Sequence, residues 1–172
     1  MYLKIVGCPD ENFKPYLKKA AHFFAKNLFS PQLSPHIYVL VKFDKTLDSH
    51  GSCEVADYET SKKPREFLIN IKPGIGAPAL FRTLAHEMVH VKQFAYQHTN
   101  ASLSVWHKKE IDSDNLDYWF HPWEIEAYGL ETSLVTKFSV EEKLWEVFEE
   151  FRNPEEPAKY EEIKWKTLES TK

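Results

Sequence analysis

Apolar positions along the chain switch between two periods. Leu3 to Gly7 reads as a short strand, and from Asp10 to about Phe29 the apolar residues recur every three or four positions, as Leu17, Ala20 or Ala21, Phe24 and Leu28. That spacing predicts an amphipathic helix, with most of its lysines on the opposite side. Ser30-Pro31 and Ser34-Pro35 break it, because the residue before a proline is pushed out of the helical region. Strict alternation follows in His36–Phe43 and again in Arg65–Ile71, with a weaker strand candidate from Cys53 to Tyr58. Positions 1–72 therefore predict strand, helix and a small, mainly antiparallel sheet.

The turn cluster Lys72–Pro78 precedes a long helix expected over residues 77–98. A strand or hairpin is expected around Leu103, Val105 and Trp106, then a polar loop through Asp112–Asn115. A further helix, 122–138, opens at Pro122, where proline suits the first helical position and His121 takes the cap. The tail, 139–172, carries Leu144, Val147 or Phe148 and Phe151, then Tyr160, Ile163 and Leu168, at helical spacing. These elements make an α+β fold in one domain.

Composition narrows the class. The chain is 42% hydrophobic and 15% aromatic over 172 residues. It can therefore bury a core and is not disordered. Its 22 Lys+Arg against 26 Asp+Glu give a net charge of −4, which argues against a nucleic-acid partner. Cys8 and Cys53 are far apart and read as reduced thiols; with neither a leader pattern nor a membrane span, a soluble, cytoplasmic protein is expected.

Chemistry concentrates in Leu84-Ala-His-Glu-Met-Val-His90, an HExxH motif. Residues four apart share a helix face, so His86 and His90 can hold one metal ion, most naturally zinc. Glu87 lies about 100° around the helix, where it can take a proton from a metal-activated water as general base. Arg82, Thr83, His90, Gln93 and Gln97 fall within about 60° of His86. Leu80, Phe81, Leu84, Ala85, Met88, Val89, Val91 and Ala95 fill the other side, so the motif forms a polar stripe on a buried helix.

A catalytic zinc has three protein ligands. Glu124 and Glu126 on the next helix, and His98, His107 and His121, are the candidates for the third. The two glutamates lie about 160° apart on a helix, so only one can face the metal. Glu124 shares its side with Ala127, which permits close helix approach, and with Tyr128.

His86-Glu87-x-x-His90 followed by Glu124-Ile-Glu-Ala127 resembles the zincin metallopeptidases of gluzincin type, including branches similar to ImmA/IrrE peptidases, and small zincin-like proteins, some of them phage-encoded. The likeness spans roughly residues 80 to 135. It implies Glu124 as third ligand, a peptide or protein substrate, and a minimal fold with a small sheet on an active-site helix. Tyr128 stands where those branches carry Asp or Asn, so the usual partner of a ligand is missing or replaced. Tyr128, His121 and Tyr118 are candidates for stabilising an oxyanion. Trp106, Trp119 and Trp123 are expected in the core, with a pocket-lining role as the other reading. Asp112, Asp114 and Asp117 are expected as solvated loop residues. Arg65–Ile71 is the strand expected to offer an edge to a peptide. A DNA-associated, SprT-like protease with a histidine third ligand, and a non-catalytic metal-binding module, are the competing functions.

Overall fold

The computed structural model describes residues 1–57 and 62–144. Strand β1 (Tyr2–Val6) leads into helix α1 (Lys14–Leu28), strand β2 (Tyr38–Phe43), strand β3 (Gly51–Val55), strand β4 (Glu66–Ile71) and helix α2 (Ala77–Ala95). The two-residue strands β5 (Val105–Trp106) and β6 (Lys109–Glu110) and helix α3 (Pro122–Glu142) complete it. Mixed α and β content agrees with the sequence. Tyr58 and the tail positions Val147, Phe148, Phe151, Tyr160, Ile163 and Leu168 lie outside the described residues. Among the described residues, no helix is long and apolar enough to cross a membrane.

The sheet departs from expectation. Its order is β1-β2-β4-β3, with β1–β2 and β2–β4 parallel and β3–β4 antiparallel. Two of its three pairings are thus parallel, not antiparallel. The reason is connectivity: a helix between β1 and β2 gives the long crossover that a parallel pair requires. The chain then skips one strand position, lays β3 at the rim, and returns β4 into the gap. Arg65–Ile71 is consequently interior, paired on both sides, and cannot serve as the edge; β3 is the edge strand beside it. Val39 and Val41 point into the core while Tyr38, Leu40 and Lys42 face outward, the alternation of a strand covered on one side.

Helices α1 and α2 pack on the covered face. Leu17, Ala20, Ala21, Phe24 and Ala25 of α1 are buried, as the periodicity demands. Phe138 closes this layer from α3, with its ring 5.6 Å from Phe24 and 5.7 Å from Phe81. Such tilted and edge-on ring pairs add to what area burial alone provides. Helix α2 stops at Ala95, short of His98, and Gln97 adopts φ 59°, a left-handed end. Helix α3 runs on to Glu142, and Leu144 beyond it is buried. Trp123 is buried as expected, but Trp119 is 62% exposed and is no core residue.

Candidate metal centre

Helix α2 is buried almost throughout, including the polar residues Thr83, His86, Glu87, His90 and Gln93. Burying that stripe costs free energy unless its groups are paired, and α3 supplies partners for His86 and Gln93. Glu124, in the first turn of α3, and Glu131, two turns later on the same face, both reach His86.

The donor atoms of His86, His90 and Glu124 converge. His86 Nε2 lies 3.1 Å from His90 Nε2 and 3.2 Å from Glu124 Oε2, and His90 Nε2 lies 3.6 Å from Glu124 Oε1. A tetrahedral ion with bonds of about 2.0–2.1 Å sets its ligands about 3.3 Å apart. The three separations bracket that value, so this donor set fits zinc.

The outer ring nitrogens fix the tautomers. His86 Nδ1 sits 2.9 Å from Glu131 Oε2 and His90 Nδ1 sits 2.8 Å from Gln93 Oε1. Gln93 is oriented because its Nε2 donates to the Trp123 carbonyl and to Glu126 Oε2, which leaves Oε1 for the imidazole. A carboxylate and an amide oxygen only accept, so both Nδ1 atoms donate and both Nε2 atoms turn toward Glu124. Arg82 Nη2 holds the other oxygen of Glu131 at 3.0 Å. Glu131 is therefore held between Arg82 and the outer nitrogen of His86.

Electrostatics follow the same contacts. Burial works against a charged His86, but the hydrogen bonds it donates to Glu124 and Glu131 outweigh it and lift the group to about 9. Burial holds His90 below the usual histidine range. Burial also opposes charge on Glu124, yet its contacts with His86, His90 and Tyr118 keep it below the ordinary carboxylate range. Glu87, buried and unpaired by any cation as direct as these, is pushed up to about 8 by burial, against the lowering effect of His86.

Glu87 and His86 line a cleft of about 350 Å³ together with His50, Gly51, Tyr118 and Tyr128. Gly51 begins β3 directly above the Glu87 side chain. A Cβ there would lie 2.5 Å from Thr83 Cγ2 and 2.8 Å from Glu87 Oε1, so only glycine lets the edge strand come this close. Tyr128 packs its ring 4.7 Å from that of His86, and Tyr118 Oη donates to Glu124 Oε2 at 2.9 Å.

The remaining sequence candidates are engaged elsewhere. Glu126 turns to Lys92 and Gln93. His98 packs its ring, tilted, 4.3 Å from that of His107, and His121 Nε2 contacts the Ser113 carbonyl at 3.1 Å. His121 does occupy the cap position of α3, but its side chain makes no capping bond. Glu131, Gly51 and His50 carry no motif; of these only Glu131 leaves a trace in the sequence, seven residues after Glu124 and hence on its face. No family model, curated protein or solved structure matches the chain.

Proposed function

We propose that the chain is a zinc-dependent peptidase, with His86, His90 and Glu124 as the metal ligands and peptides or proteins as substrates. The observation that supports it best is the convergence of two tautomer-fixed Nε2 atoms and a carboxylate, with a second buried carboxylate lining the adjoining cleft. Zinc, when bound, supplies Lewis-acid polarisation of a carbonyl and acidifies water.

The chain's own residues do the rest. Glu87, buried beside His86 and lining the cleft, is placed to take a proton from the attacking water and return it to the leaving amine. Gly51 confines its carboxylate to the cleft. Glu131 and Gln93 hold the imidazoles in register. Tyr118 and Tyr128 present aromatic rings and hydroxyls at the cleft mouth, and Tyr128 against His86 is suited to steady a developing oxyanion.

Metal analysis tests the ligand set. Glu124→Ala loses zinc and Glu126→Ala keeps it; retention of stoichiometric zinc by Glu124→Ala would restore the histidine-ligand, DNA-associated alternative. Glu87→Gln keeps zinc and lowers peptide hydrolysis by about 10²–10⁴-fold. Near-normal hydrolysis in that variant removes Glu87 from the chemistry.

A further inference from the structure

We infer that the aromatic turn Tyr118–Phe120, with Tyr128 behind it, is a recognition ledge for a large apolar side chain of the substrate, placed within about three residues of the bond to be cut. That the occupant is a substrate rests on the peptidase reading; that the ledge binds does not.

Trp119 and Phe120 are 62% and 68% exposed, and Ile125 on the first turn of α3 is 57% exposed. Neighbouring large side chains left in water are unusual on a protein of this size and mark a contact surface. Nor is the turn held in place by burying them. The Asp117 carboxylate accepts from the Trp119 N–H at 3.1 Å, the Phe120 N–H closes on the Asp117 carbonyl at 2.9 Å, and Tyr118 Oη ties the turn to Glu124. Hydrogen bonds anchor the backbone and leave the rings displayed.

The rings are continuous with the metal ligands. Trp119 lies 5.2 Å from Tyr128, which lies 4.7 Å from His86. Trp119 is thus two ring contacts from a ligand imidazole. Those two contacts cap the reach at about 10 Å and an extended peptide advances about 3.3 Å per residue, so a side chain on Trp119 belongs to a residue within about three places of a bond set over the metal.

Charge selects among occupants. Asp112, Asp114 and Asp117 are exposed on the same stretch and make an anionic membrane surface a poor fit. A peptide side chain fits the space better than a second copy does, since the ledge borders the cleft that must stay open for hydrolysis. An aromatic ring stacking on Trp119 gains both burial and ring geometry, which sets a preference of about tenfold for Phe over Ala.

Zinc-loaded Glu87→Gln protein, which retains the ledge, is titrated by isothermal calorimetry with two end-blocked peptides differing only in Phe against Ala. The Phe peptide binds about tenfold tighter, and adding Trp119→Ala brings the ratio below about twofold. Equal binding of the two peptides, or a preference that survives Trp119→Ala, overturns the ledge. So does self-association in sedimentation, or partition into phosphatidylcholine vesicles, that Trp119→Ala abolishes. In parallel, wild-type protein is incubated with unfolded polypeptides of known sequence. Cuts enriched in Phe, Tyr, Trp or Leu within about three residues support the ledge, and cuts without that enrichment overturn it while leaving the peptidase. Absence of any cut, with the binding preference intact, refutes the peptidase and leaves the ledge.

Discussion

Removing the Glu131 carboxylate should weaken zinc binding although Glu131 touches no metal. Its Oε2 accepts from His86 Nδ1 at 2.9 Å and its Oε1 accepts from Arg82 at 3.0 Å, with the side chain buried. In Glu131→Ala the imidazole loses a charge-assisted hydrogen bond worth about 1.5–3 kcal/mol. The ring is then free to rotate, and nothing holds its Nε2 toward Glu124 and the ion. Expressed as affinity, the loss is roughly 10–100-fold, the range typical for such partners of metal-binding histidines. Glu131→Gln keeps an acceptor without the charge and should fall between the two. A competition titration against a chromophoric zinc chelator reads these values, with circular dichroism reporting the fold. Zinc binding by Glu131→Ala within twofold of the parent would refute the orienting role, and with it the reasoning that fixes the tautomer of His86.

Two other outcomes follow from the same geometry. Gly51→Ala forces a methyl group to within 2.8 Å of Glu87 Oε1 and 2.5 Å of Thr83 Cγ2. It should destabilise the protein by about 1–3 kcal/mol and lower hydrolysis beyond what zinc loss explains; denaturant unfolding and turnover at saturating zinc measure both. In metal-stripped protein His86 faces a carboxylate from each ring nitrogen and is lifted to about 9, so it is protonated at neutral pH and zinc must displace a proton. Zinc affinity should therefore rise from pH 7 toward pH 9, with a proton released per ion in unbuffered calorimetry; affinity falling over that range would contradict the assignment.

Helices were legible where one periodicity ran long enough. The stripe around His86 is visible because α2 carries apolar residues on every other side, and Pro122 marks the start of α3 without ambiguity. Strand direction was not legible, because alternation in His36–Phe43 and Arg65–Ile71 records which face is buried and says nothing of which neighbour each strand finds. Placement of β3 at the rim depends on a chain reversal that skips a position. The cleft was harder still. Glu131 leaves only its seven-residue spacing from Glu124, and Gly51 matters only through what stands above it in space. Trp119 reads as core in a sequence since aromatic character is the same whether a ring is buried or displayed.

The joining of α2 to α3 through His86, His90 and Glu124 has a mechanical side. His86 and Glu124 stand 38 positions apart. An ion held by both helices would act as a cross-link that closes this long loop, and loop closure of that length removes conformational freedom from the unfolded chain much as a disulfide does. Its strength would scale with free zinc, since an ion that binds only the folded form stabilises it by mass action. The amide protons of α3 should be the first to show it. They exchange by separation of α3 from α2, and each tenfold rise in zinc above its dissociation constant should slow that opening about tenfold. Amides in β1 and β2 lie outside the closed loop and depend on the ion only through global unfolding.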